Sequence, residues 1–136
     1  MSDKIKVSTI INADIKKVWN YYTLPEHITN WNFADPSWHC PWATNDMRIG
    51  GKYIARMEAK DESSGFEFEA IYDEIKTGKS FTYSFADRTV NVELKDLDKQ
   101  TKIIVEFDPE NENPLEMQRQ GWQAILDNFK NYTEAN

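Results

Sequence analysis

Among its 136 residues this chain has one cysteine, two histidines, five glycines and five prolines. The lone Cys40 cannot close an internal disulfide, so the fold must rest on a core, and a reducing compartment is the natural setting. Glycine and proline are too sparse for collagen-like or low-complexity architecture. Sixteen basic residues against 23 acidic ones leave a net charge of −7, a deficit of positive charge that disfavours phosphate backbones and anionic lipid. Neither nucleic acid nor a membrane surface is an expected partner. No stretch approaches the roughly eighteen apolar residues of a membrane span. The opening Met1-Ser2-Asp3-Lys4 leads into an alternating segment and not into an apolar signal-peptide core, so the cytoplasm is the expected location.

Chemical motifs are also missing. There is no Gly-x-Ser-x-Gly elbow, and Gly50-Gly51 lacks the third glycine or the Lys-Ser/Thr of a phosphate-cradling loop. His27, His39 and Cys40 are candidate metal ligands without Cys-x-x-Cys or His-x-x-x-His spacing, so neither metal nor cofactor is expected. Cys40 and His39 are neighbours, and on an extended segment neighbouring side chains point to opposite sides, which argues against a Cys-His nucleophile.

What the chain does have is pattern. Its length fits one domain spanning residues 1–136, large enough to bury roughly two thirds of the surface its unfolded form exposes. Ile5, Val7, Thr9 and Ile11 share one parity, as in a strand with one covered face. Asn12 offers a capping oxygen before Ile15, Val18, Trp19 and Tyr22, which recur at helical spacing. Pro25 with Glu26 beside it starts a second short helix expected over residues 25–31. After Gly50-Gly51, where a tight turn or bulge is expected, inward sets recur: Tyr53, Ala55 and Met57; Phe66, Phe68, Ala70 and Tyr72; Phe81, Tyr83 and Phe85; Val90, Val92 and Leu94; Ile103, Val105 and Phe107. Turns are expected at residues 61–65, at Gly78 and at residues 96–100. Together these predict an antiparallel meander with one buried face, while Glu67, Glu69, Glu93 and Glu106 fall on the solvent parity. From residue 115 to 132 the period changes: Gln118, Trp122, Ile125, Phe129 and Tyr132 form one stripe of a helix. Gly121, opposite that stripe, is expected either to open space for a ligand or to let helix and sheet approach closely. A curved antiparallel sheet closed by one long C-terminal helix satisfies both patterns.

Three of the five tryptophans, Trp31, Trp38 and Trp42, lie within twelve residues that also carry Pro36 and Pro41. No ordinary helix or strand accounts for them, and such rings suit the wall or rim of a pocket.

The order of strand, two short helices, meander and long C-terminal helix resembles the α+β helix-grip fold of the START and birch-pollen-allergen superfamily. Locally, Ala13-Asp14-Ile15-Lys16-Lys17-Val18-Trp19, Leu24-Pro25-Glu26-His27-Ile28 leading to Trp31, Arg48-Ile49-Gly50-Gly51-Lys52-Tyr53 and Gly121-Trp122 resemble signatures of one SRPBCC-domain branch, the family named for the activator of the heat-shock protein 90 ATPase. The resemblance covers nearly the whole chain, departing at residues 35–40, where relatives often have a shorter loop. It implies a cavity between the sheet and the last helix.

The leading expectation is a noncatalytic module that binds an apolar or aromatic small molecule, with Trp31, Trp38, Trp42, Tyr53, Phe68, Tyr83, Phe85 and Trp122 as walls. His39 and the inward tyrosine hydroxyls Tyr53, Tyr72 and Tyr83 would orient polar atoms, and Glu116 at the start of the last helix would reach the cavity mouth. The resemblance also implies a second reading, a chaperone-associated stress-response protein. A third is a cyclase or isomerase using Tyr83, His39 or Glu116 as proton carriers. Single outward isoleucines, Ile54, Ile71 and Ile104, suit the surface of a monomer or weak homodimer.

Overall fold

A computed structural model describes residues 4–136; residues 1–3, at the opening read above for a leader, lie outside the described residues. Strand β1 (Ile5–Ile11) is followed by helices α1 (Ile15–Thr23) and α2 (Pro25–Ile28), then by two short strands, β2 (Trp38–His39) and β3 (Ala43–Asn45). The meander β4 (Lys52–Ala59), β5 (Gly65–Lys76), β6 (Ser80–Phe85), β7 (Arg88–Asp96) and β8 (Thr101–Phe107) comes next, and α3 (Leu115–Ala135) ends the chain. The antiparallel sheet runs β1-β8-β7-β6-β5-β4-β2, with β3 also paired to β4. It curves as a half-barrel around α3, the helix-grip arrangement expected from the pattern.

Alternation explains which face is covered. In β8 every second residue, Thr101, Ile103, Val105 and Phe107, is buried, and in β7 Val90, Val92 and Leu94 are. The opposite face carries cross-strand ion pairs, Lys6 with Glu106 at 3.7 Å and Lys52 with Glu69 at 3.4 Å, in keeping with a solvated carboxylate parity. In β5 the register slips between Tyr72 and Glu74, a bulge that bends the strand. The edge strand β1 is covered by α3, whose Gln123 and Lys130 donate to the carbonyls of Ser8 (3.2 Å) and Ile10 (2.7 Å), while the Asn12 amide just beyond β1 donates to Glu134 (2.8 Å).

Several local expectations are corrected. Asp14, not Asn12, caps α1, its carboxylate accepting the Lys17 amide at 2.8 Å. The second helix stops at Ile28, because Trp31 turns inward and donates its indole N–H to the Tyr21 carbonyl at 3.0 Å. The tryptophan-rich stretch is not wholly irregular: β2 and β3 pair side by side along β4, interrupted at Pro41. A Cβ at Gly121 would meet nothing within 4 Å, so that glycine is not required for close packing. Gly51 is required, since a Cβ there would run into the Asp46 backbone carbonyl, and Gly50 beside it has φ +84°. No helix among the described residues is long and apolar enough to cross a membrane.

Candidate functional site

Between the concave sheet face, α1 and α3 lies a cavity of about 230 Å³. The sheet supplies Tyr53 and Met57 from β4, Phe66, Phe68 and Tyr72 from β5, Phe81 and Tyr83 from β6, and Val105 from β8. Trp122, Ile125 and Leu126 close it from α3, and Tyr22, Trp31, Asn32 and Asn45 complete the wall from α1 and the segment after it. None of these side chains carries a charge. Phe66, 54% exposed yet lining the hollow, marks its mouth.

The rings lean on one another rather than collapsing inward. Tyr53, Phe68 and Tyr83 form a mutual edge-to-face trio with centroids 5.8–5.9 Å apart, and Tyr72 meets Phe81 at 5.6 Å and 86°. Trp122 stacks on Phe107 at 4.1 Å, and Tyr22 stacks on Trp31 at 4.8 Å. Such pairs hold the wall side chains in place around the hollow.

Four tyrosine hydroxyls belong to this wall. Tyr72 donates to Asn45 Oδ1 at 2.6 Å, and Asn45 Nδ2 donates on to the Thr23 carbonyl at 2.7 Å. Tyr53 accepts from Asn32 Nδ2 at 3.1 Å. Burial pushes all four phenols above the ordinary tyrosine value of 10.0; nearby phenols add to this for Tyr22, Tyr53 and Tyr83. They are therefore neutral hydrogen-bonding groups at physiological pH.

Of the eleven expected site residues, the structure brings Trp31, Tyr53, Phe68, Tyr72, Tyr83 and Trp122 together around the cavity. Two stand behind its wall: Phe85 packs on Phe68 at 4.8 Å with the Arg88 guanidinium over its outer face, and Trp38 packs on Phe66 at 6.1 Å. The remaining three lie elsewhere. Trp42, 42% exposed, sits between β2 and β3, where its backbone carbonyl accepts the Arg56 amide. His39 lies on β2 opposite Glu58, with Nε2 3.8 Å from that carboxylate. Glu116 pairs with Arg119 on the outer face of α3 at 3.3 Å. The reason is geometric: β2 pairing fixes which way residues 38 and 39 project, and Glu116, two residues before Gln118, falls outside the helix stripe.

The proton carriers considered for catalysis are thus not assembled, since only Tyr83 reaches the cavity. Cys40 is buried, its thiol pushed up to about 11 by burial, the opposite of an activated nucleophile. His27 is engaged elsewhere, with Nδ1 2.7 Å from the Tyr132 hydroxyl and its ring stacked on Tyr21.

Tyr22, Phe81, Asn32 and Asn45 are cavity residues absent from the expected site set. Tyr22 lies on the helical stripe of α1 and Phe81 on the inward strand parity, so period alone could have found them. Asn32 and Asn45 leave no such signal, because both take their roles from contacts distant in sequence.

Comparison with known proteins gives this architecture its relatives. An AHSA1-like protein from Aeromonas hydrophila is 34% identical, with a TM-score of 0.92 over 98% of this chain and 93% of that one. A protein from Cytophaga hutchinsonii is 44% identical, with a TM-score of 0.84 over 99% and 94%. A protein from Chromobacterium violaceum shares the fold at 19% identity, with a TM-score of 0.86 over 99% and 100%. Curated proteins yield no match. The family described as "Activator of Hsp90 ATPase homolog 1-like protein" matches residues 12–134, and the chain belongs to that family.

Proposed function

We propose that the protein binds an uncharged, mainly apolar small molecule in the cavity between the sheet and α3. The observation that carries this reading is a hollow of about 230 Å³, open at Phe66, with aromatic and aliphatic walls and only neutral polar groups. An apolar cavity of about 150 Å³ accepts benzene, so this one has room for a one- or two-ring molecule or a short acyl chain. A ligand losing about 200 Å² of apolar surface gains about 5 kcal/mol before the costs of association, equivalent to a Kd of about 0.2 mM, so apolar burial alone gives millimolar or weaker affinity. An ionised ligand would lose its hydration without gaining a paired charge.

Titrating ¹⁵N-labelled protein with uncharged one- and two-ring aromatics should produce saturable shifts at the indole N–H signals of Trp31 and Trp122, with Trp42 unmoved. If no compound moves the first two, or if Trp42 alone responds, the proposal is wrong. The family's name supports a second reading, association with an Hsp90-type chaperone. Chaperone ATP turnover with and without this protein tests that reading independently of cavity binding.

A further inference from the structure

Resting on the cavity reading, we infer that the hydroxyls of Tyr22 and Tyr83 are the specificity-determining grip for an acceptor oxygen, a ketone or similar carbonyl, on the neutral ligand. Four phenols line the hollow, and the protein uses them unequally. Tyr72 spends its proton on Asn45, while Tyr53 accepts from Asn32, which ties its oxygen to the wall although its proton has no acceptor among the described residues. Tyr22 and Tyr83 have no hydrogen-bond partner among the described residues, although neither residue is exposed.

Their oxygens are not sealed into the packing. Among the described residues, the one side-chain polar atom both cut off from any free space and unpartnered is the Thr133 hydroxyl. Tyr83 is only 6% exposed and lines the cavity, so the space open to its oxygen is the cavity itself. Tyr22 lines the same space from α1, its ring wedged among Trp31, Phe81 and Phe129.

A phenol whose oxygen faces cavity space and makes no bond to the protein keeps its proton for a bound molecule, and among apolar walls such a bond is stronger than it would be in water. A site that presents such groups from both sides, β6 and α1, on otherwise apolar walls is matched by a ligand with an apolar body and a strong acceptor. A carbonyl oxygen has two lone pairs and nothing to donate, whereas each phenol has a proton to give. A carboxylate fits less well: no lysine, arginine or histidine lines the cavity, so its charge would be stripped of water and left uncompensated.

Three isosteric probes separate these demands: acetophenone, α-methylstyrene, in which CH₂ replaces the carbonyl oxygen, and benzoate. Their dissociation constants are measured by ¹⁵N chemical-shift titration on the wild type and on Tyr22→Phe/Tyr83→Phe, whose circular dichroism checks its fold. Loss of two neutral hydrogen bonds should weaken acetophenone about tenfold to a hundredfold, while α-methylstyrene stays within about twofold and benzoate binds weakest to both proteins. If acetophenone and α-methylstyrene change equally between the two proteins, the grip does not exist although the cavity reading survives. If none of the three binds the wild type, the cavity reading falls first. If the double variant fails to fold, the single variants are titrated, and each must weaken acetophenone alone.

Discussion

Tyr72 and Tyr83 stand opposite each other across β5 and β6, both buried, and they differ in one respect that a single-atom change exposes. The Tyr72 hydroxyl donates at 2.6 Å to Asn45, whose amide donates at 2.7 Å to the Thr23 carbonyl at the end of α1. Through this chain of two bonds β5 holds β3, and β3 holds α1. Tyr72→Phe removes one oxygen and leaves Asn45 Oδ1 without its donor, a loss of about 1–3 kcal/mol for a neutral group kept from water. Tyr83→Phe also removes one oxygen, but one with no protein partner, so stability should change by less than about 0.5 kcal/mol in either direction. For a chain of this length the first corresponds to a fall in Tm of about 3–10 °C and the second to almost none. Urea unfolding followed by tryptophan fluorescence and far-UV circular dichroism measures both. In a double-mutant cycle with Asn45→Ala, Tyr72 should couple by about 1 kcal/mol and Tyr83 by nothing measurable. Equal losses for the two substitutions, or a larger loss at Tyr83, would refute the reasoning.

Alkaline pH gives a second test. The four cavity phenols are raised in the folded protein, so above pH 10 the unfolded chain loses protons that the folded one keeps, and stability falls with rising pH. Four such groups give a slope of up to about 5 kcal/mol per pH unit, and absorbance of their phenolates near 295 nm should rise only as the circular dichroism collapses; ionisation of all the tyrosines with secondary structure intact would contradict it. Gly51→Ala should cost about 1–3 kcal/mol, because its Cβ meets the backbone carbonyl of Asp46 and cannot be relieved by a side-chain rotation. Gly121→Ala is the control and should be neutral or slightly stabilising in urea titration, since nothing lies near its Cβ and alanine favours the helix.

Strand and helix periods make the architecture legible in the sequence. Period two along residues 5–11 and through the meander, followed by period 3.6 over residues 115–132, leaves one arrangement that covers every apolar face: a curved sheet closed by the last helix. The same parity placed Tyr53, Phe68 and Tyr83 inward and set Trp122 on the closing stripe. These assignments follow from local geometry, because a side chain's direction within a regular element depends only on its position in the repeat.

Where the chain leaves regular elements, proximity in sequence stopped being a guide. Trp31, Trp38 and Trp42 look like one aromatic wall, yet only Trp31 reaches the cavity; β2 and β3 pair with β4 and send the other two elsewhere. The polar pattern of the cavity is likewise a tertiary product. Whether a phenol is satisfied or spare depends on Asn45, 27 residues from Tyr72, and on Asn32, 21 residues from Tyr53, neither of which belongs to a repeat that would announce it. The sequence by itself therefore determined the covered faces, which are properties of periodic backbone. Only the folded chain decided which rings surround empty space and which hydroxyls remain free within it, because both depend on contacts between segments far apart along the chain.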